Sequence, residues 1–485
     1  MNSTPSPLHR YHPIIEDVPG FEEAIQRPLA RFIWTHRLRI EPDRLVSLLS
    51  QDGYRLSPLV WNPGAFRVTL EPTPLGGHWT YQAGFFHIQE AASMVPVRLL
   101  SPQPGMRVMD LCAAPGNKTV QAASAMQNSG TVVANDLRHQ RMASIRMHVD
   151  RLGLVNVSTT CRDGGSYPRK AGLFDAVLVD TPCSCEGTSR KNTDILQRPV
   201  PGRERLLLRQ KRLLERAVRF CRPGGRIVYS TCTYDPEENE AVVDAILRAM
   251  PDKIKMMAVS LPGLRSAPGV TAWKKQRYHP DLQHALRIWP HLNDTGGFFA
   301  AVLQRTGGLF SGIEPSPALS DPVYPTENPK GYLLFPEPEQ IAALLEKRFG
   351  IAGAVFEGLC FLTRNKRQVF VATSDHRPTV EPPAATGLPL LHLSMKTPKL
   401  TTVGAAFLGP HARHNIIDVD ADQRIRYLTR RSFPVRRSQL AETTEDGHVL
   451  IRYDGAVLGV GRLRQAQMEV DSFYPKRFAA LPADG

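Results

Sequence analysis

Between residues 105 and 306, short apolar runs alternate with amphipathic ones, and the period of the pattern switches each time. MRVMDL (106–111), TVVAND (131–136), NVSTTC (156–161), FDAVLVD (174–180), RIVYSTC (226–232) and GFFAAVLQR (297–305) read as strands, FDAVLVD as one of the buried type. KTVQAASAMQ (118–127), RHQRMASIRMHVDRLG (138–153), RERLLLRQKRLLERAVRFC (203–221) and PEENEAVVDAILRAM (236–250) carry the helical period between them. The long helix closes at Pro223-Gly224-Gly225, and Pro236 sits in the first turn of the last one. Alternation of this kind predicts parallel pairing in an α/β, Rossmann-like, doubly wound sheet. Ligands of such sheets bind beyond the carboxyl ends of the strands, where Asp110, Asp136, Asp180 and Cys232 fall.

The flanks read differently. Residues 1–85 combine a helix (41–53) with strand-like runs at 31–40 and 65–70, a small α+β module. Residues 86–306 hold the alternating unit, and 307–330, rich in proline, glycine and serine, form a linker. Residues 331–485 carry one helix (338–350) and many short strands, a β-rich C-terminal region of one or two domains. A chain of 485 residues has room for two to four domains.

Charge changes this picture. The net charge of +14 is spread along the chain, denser at 203–222 and 424–437, and suits a polyanion such as nucleic acid. No apolar run is long enough to span a membrane, and the N-terminus lacks a secretory pattern, so a cytoplasmic protein is expected. Seven cysteines at irregular spacing argue against a disulfide framework. Cys183 and Cys185 are two apart and no CxxC pair or histidine completes a zinc set, so no metal centre is expected. No interface signature stands out, and a monomer is expected.

The candidate chemistry lies at the strand ends. DLCAAPGNKT (110–119) is neither GxGxxG nor a Walker loop, but Gly116 and the helix after it can offer free backbone N–H groups to a carboxylate. Asp136 can accept ribose hydroxyls and Asp163 an adenine amino group. The set suits a nucleoside that carries a carboxylate, as S-adenosylmethionine does. Cys183 and Cys232 follow neighbouring strands, so that one thiolate can attack while the other assists release.

DLCAAPGNKT, VDTPCSCEGTSRKN (179–192) and YSTCTYDPEENEAVV (229–243) closely resemble the motifs of RNA cytosine-C5 methyltransferases of the Nop2/Sun family, as do FHIQEAASM (86–94) and RIWPHLNDTGGFFAAVL (287–303). The resemblance implies that Cys232 attacks C6 of cytosine, that Asp180 bonds the ring near N3, and that Cys183 helps remove the C5 proton or expel Cys232. It implies a cofactor site made of Cys112, Ala113, Ala114, Pro115, Gly116, Asn117 and Lys118 with Asp136, Asp163 and Asp180; Lys118 touches either cofactor or base. Many relatives have glycine where this chain has Cys185 or Asn117. Arg190 and Lys191 are candidates for phosphate contacts, or for solvated surface charge. HVLIRYDGAVLGVGRLR (448–464) resembles the closing strands of a PUA-like RNA-binding domain. Ribosomal RNA is the favoured substrate and transfer RNA the next. A non-catalytic RNA assembly factor, or a methyltransferase acting on protein or a small molecule, are the competing readings.

Overall fold

The computed structural model describes residues 7–197, 202–313, 331–365, 367–378, 383–393, 398–476 and 478. The greater part of the expected linker, 314–330, lies outside the described residues. At the centre stand five parallel strands, β1 (Arg107–Asp110), β2 (Thr131–Asn135), β3 (Val157–Thr160), β4 (Phe174–Asp180) and β5 (Cys221–Thr231), in the spatial order β3-β2-β1-β4-β5. Apart from Arg222–Gly224 at the start of β5 their residues are nearly all buried, on both faces, which is why most of them read as apolar. Beyond β5 the sheet continues through β7 (Phe298–Arg305) to β6 (Leu286–Ile288). Here the expected parallel pairing gives way: β7 runs antiparallel to both neighbours, because β6 leads into it through a short connection with no full crossover helix.

Helices cover the faces: α1 (Ala91–Leu100), α2 (Asn117–Ala125), α3 (His139–Leu152), α4 (Arg203–Phe220) and α5 (Glu240–Ala249). Two boundaries differ from the sequence expectation. Helix α4 ends at Phe220, and Pro223-Gly224-Gly225 lies inside β5, where the pairing register with β4 shifts between Phe174 and Ala176. Helix α5 begins at Glu240, four residues after Pro236. The preceding turn is diverted to another use: Asn239 accepts from Thr231 Oγ1 at 2.5 Å and donates to the Thr233 carbonyl at 3.0 Å.

The chain on either side of this unit is tied to it and to itself. Strands Arg55–Pro58, Ala65–Leu70, Arg31–Thr35 and Phe86–Ile88 form a four-stranded antiparallel sheet. Past residue 331 come two five-stranded sheets. Leu45, Leu48 and Trp79 of the N-terminal region share one buried core with Tyr427, Val449 and Val470. Trp79 meets Tyr453 edge-on at 5.0 Å, and Arg44 pairs with Asp454 at 2.8 Å. The short strand Ala385–Thr386 adds to the free edge of β3. Beside it the buried Arg107 donates to the carbonyls of Arg377 and Pro378, each at 2.8 Å. No helix among the described residues is long and apolar enough to cross a membrane.

Three seams in this assembly run through buried, neutral histidines. His36 bridges Ser124 Oγ at 2.9 Å and the Leu152 carbonyl at 3.0 Å. His376 meets Ser158 Oγ at 2.8 Å, and His87 meets Asn117 Oδ1 at 3.0 Å. Burial pushes His36 down to about 3 and His376 to about 4, and holds His87 well below its ordinary value. Each therefore stabilises the fold fully above the unfolded pKa of about 6.5 and loses that contribution as pH falls below it, by at most about 1.4 kcal/mol per group per pH unit. The urea midpoint should drop between about pH 7 and about pH 5. His376→Gln, which keeps a donor and an acceptor, should flatten the slope.

Candidate active site

Asp180 ends β4 opposite Ser230 of β5, so the loops that follow leave the sheet side by side. The Thr181 N–H extends the pairing by one bond to the Ser230 carbonyl, at 3.0 Å. A web of buried polar contacts then holds the two loops together. Glu238 Oε2 accepts from the Ser184 N–H at 3.0 Å and from Gln210 Nε2 at 2.9 Å, and Gln210 also reaches the Pro182 carbonyl. The hydroxyls of Ser184 and Thr233 meet at 2.7 Å. The Gly187 N–H donates to the Cys232 carbonyl at 2.9 Å, and the Gly187 carbonyl accepts from Gly297 at 2.8 Å. The outcome is a separation of 3.4 Å between Cys183 Sγ and Cys232 Sγ. A third sulfur stands beside them, Cys185 Sγ, 3.9 Å from Cys183 Sγ.

Hydrogen bonding from Cys183 pulls the Cys185 thiol down, and the same sharing, with burial, pushes Cys183 up. Cys232 is pushed up: its contact with Cys185 and its burial outweigh the bond to Cys183 that favours its thiolate. Next to the sulfurs, Lys118 Nζ lies 2.6 Å from Asp180 Oδ2 and 3.0 Å from Ser93 Oγ, over the face of Phe298. Ser230 Oγ donates to the other Asp180 oxygen at 2.8 Å. Burial opposes the Lys118 charge, and the Asp180 carboxylate outweighs it, so the ammonium is held above its ordinary value.

The turn after β1 abuts this cluster. Ala113 N–H donates to the Asn135 carbonyl at 2.7 Å, and Ala114 N–H to Asp136 Oδ2 at 3.2 Å. Asp136 Oδ1 accepts from the Arg138 N–H at 3.0 Å. Gly116 has a φ of 111° and lies so close to α3 that a Cβ would stand 2.9 Å from Ile145 Cα. Its glycine is thus required by helix packing as well as by the turn. The first bond of the α2 ladder runs from Val120 N–H to the Gly116 carbonyl, so the helix does not use the amides of residues 117–119. Cys112 is driven up by burial. Burial also raises Asp110 to about 7, and its Oδ2 accepts from Thr119 Oγ1 at 2.7 Å. Asp163, beyond β3, accepts from the Gly165 N–H at 3.0 Å. Free helix amides next to a buried carboxylate at successive strand ends fit a nucleoside bearing its own carboxylate.

Two sequence expectations change. Arg190 is neither a phosphate contact nor a solvated charge. It is buried and donates to the carbonyls of Arg27, Pro28 and Thr295 while pairing with Asp294 at 2.6 Å; Lys191 is exposed. The dense positive charge of 203–222 is partly neutralised within the chain: helix α4 turns Leu213, Leu214 and Val218 inward, Arg203 pairs with Glu237 at 2.9 Å and Arg219 with Glu215 at 2.8 Å. The residues the sequence did not disclose are the loop fasteners Glu238, Gln210 and Gly187. Gln210 on the apolar stripe of α4 was the readable sign.

Residues 97–304 match the family described as 16S rRNA methyltransferase RsmB/F. The chain is 36% identical over 306 residues to a ribosomal RNA small subunit methyltransferase F of Klebsiella pneumoniae, covering 61% of each. It is 35% identical over 320 residues to the protein of the same description from Escherichia coli, covering 64% of this chain and 62% of that one. It thus spans about three fifths of the length of the curated relatives it matches. Among solved structures, a methyltransferase homolog protein from Pyrococcus horikoshii is 30% identical with a TM-score of 0.53, over 59% of this chain and 90% of that one. NSun6 from the same organism, solved with SFG, shares the fold at 21% identity and a TM-score of 0.52, over 60% of this chain and 94% of that one.

A Cβ at Gly187 would stand 2.2 Å from the Gly297 carbonyl oxygen and 2.9 Å from that of Cys232. Both are backbone atoms, so Gly187→Ala has to move the cysteine loop. The substitution should destabilise the protein by about 1–3 kcal/mol, read as a lower urea midpoint. An unchanged midpoint would show that the loop is not clamped there.

Proposed function

This chain belongs to the 16S rRNA methyltransferase RsmB/F family, and from that premise we propose that it methylates C5 of a cytosine in ribosomal RNA through a covalent adduct with Cys232. The observation that carries the reading is the 3.4 Å approach of Cys183 and Cys232 beside the Lys118–Asp180 pair. S-adenosylmethionine, the cofactor of this family, supplies an electrophilic methyl group when bound. Residues 112–118 with Asp136, Asp163 and Asp180 would hold it, through the turn amides and the strand-end carboxylates.

C5 of cytosine is a poor nucleophile until the ring is disrupted. The partly buried Cys232 thiol gives up its proton to Asp180 as its sulfur bonds to C6, and the displaced ring electrons make C5 an enamine carbon that can take the methyl group. Asp180 passes that proton to the ring near N3, where charge develops; Lys118 and Ser230 fix its orientation. Once C5 carries both methyl and hydrogen, Cys183 takes the proton, the electrons return to the ring and the C6–sulfur bond breaks. The target base has to leave its stack to reach this cleft.

The reading divides the chain at 86 and 306, with residues 1–85 and 331–485 as RNA-binding modules, the latter PUA-like. The net charge of +14 and the shared core of the two flanks support that division of labour. A substrate in ribosomal RNA fits a cytoplasmic location.

Bisulfite sequencing of RNA from a deletion strain should lose a 5-methylcytosine signal in ribosomal RNA. Loss confined to transfer RNA would correct the substrate, and no loss in any RNA would overturn the reading. In vitro, Cys232→Ala should abolish methyl transfer. Cys183→Ala should accumulate a covalent protein–RNA adduct, seen as a slow band on a denaturing gel. A variant of Cys183 that turns over normally would remove it from the mechanism.

A further inference from the structure

Cys185 is not required by the proposed reaction, yet the fold holds it in an unfavourable place. Its φ is 62° and its ψ 19°, the left-handed region that glycine adopts freely and cysteine does not. A non-glycine residue kept in that region next to reactive groups points to a use for its side chain. The side chain it presents is the third sulfur of the cluster. Cys183 Sγ lies 3.4 Å from Cys232 Sγ and 3.9 Å from Cys185 Sγ, and all three sulfurs lie within 4.8 Å of one another.

Three thiolates around a zinc-class ion, at the usual zinc–sulfur length of about 2.3 Å, stand about 3.8 Å apart in tetrahedral geometry. The cluster is close to that spacing, and a fourth position stays open for water. We propose that Cys183, Cys185 and Cys232 form a three-sulfur site for a soft divalent cation, and that its occupancy takes the nucleophile out of reaction. Spacing along the chain hides this site: Cys183 and Cys185 are neighbours, but Cys232 arrives from the next strand. Binding releases to solvent the proton of each thiol that ligates and needs no oxidant. The ion is a reversible block, removed by a chelator, on the residues that make and break the C6 bond. The inhibitory half rests on the cytosine methyltransferase reading; the metal-binding half rests on the sulfur geometry alone.

The full chain, reduced and freed of metal, is titrated with Cd²⁺ while thiolate-to-metal charge-transfer absorption is followed. Wild type should bind one ion per chain. Cys185→Gly restores the residue suited to the backbone there, should fold with an unchanged or higher urea midpoint, and should bind at least about tenfold more weakly, since even an outer-shell partner costs about 10–100-fold in affinity. In a methyl-transfer assay Zn²⁺ should inhibit wild type, a chelator should restore it, and Cys185→Gly should keep its activity at the same zinc concentration. Equal Cd²⁺ affinity of wild type and Cys185→Gly would overturn the proposal, as would zinc inhibition that the substitution leaves unchanged. The absorption measurement needs no turnover, so it reads the metal site even if the substrate reading fails.

Discussion

The site depends on one piece of backbone pairing, the parallel register of β4 and β5 that sets Asp180 beside Ser230. Residues 180 and 230 are 50 apart in the chain, and only the sheet makes them neighbours. Everything beyond follows from where the two strands stop. Their loops start at the same height, so a cysteine three residues past Asp180 and another two past Ser230 can meet. A slip of one residue would reverse which face each side chain takes and would part the sulfurs. That register is protected from both sides, by β1 next to β4 and by the reversed strand β7 next to β5. The antiparallel edge therefore does more than end the sheet: it seals the outer side of β5 with a strand whose residues 298–304 are nearly all buried.

The loops themselves are held by polar groups, which is expensive unless every group finds a partner. Glu238 sits under the Cys183 loop and collects donors from two different elements. Glu240, two residues on, is fully buried and paired with the equally buried Arg287 of β6. The start of α5 is thus an anchoring segment, and its acids face inward. Lys118 and Asp180 extend the same logic into the cleft. A buried ammonium beside a carboxylate is tolerable because serine hydroxyls and an aromatic face complete its surroundings. Such a pair keeps Asp180 in one orientation before any substrate arrives.

Much of this was legible in the chain. Most of the parallel strands announced themselves as apolar runs because both of their faces are covered, β3 being buried with three hydroxyl side chains, and the strand-end acids and cysteines followed from that. The reversal of β7 was not legible: GFFAAVLQR has the same composition as its parallel neighbours, and direction is set by the connection before it. The helix before β5 ends within a residue of its expected end, but Pro223-Gly224-Gly225, read as its stop, lies inside β5, because proline and glycine break a helix and also sit at strand irregularities, and pattern alone does not separate the two. Arg190 was misread because a basic residue in a loop looks solvated until the carbonyls that surround it are brought in from residues 27, 28 and 295. The third sulfur of the cluster was visible as a residue, but its backbone conformation was not.

The single apolar core shared by the N-terminal sheet and the far C-terminal sheets has a consequence for how the protein is made. Leu45, Leu48 and Trp79 are translated well before Tyr427, Val449 and Val470, which help bury them. Until then the opening module presents uncovered greasy surface while the central sheet assembles behind it. Contacts of such long sequence separation close slowly. The nascent chain is therefore exposed to aggregation until those residues emerge, and loss of 427–470 would uncover the apolar side chains at 45–79.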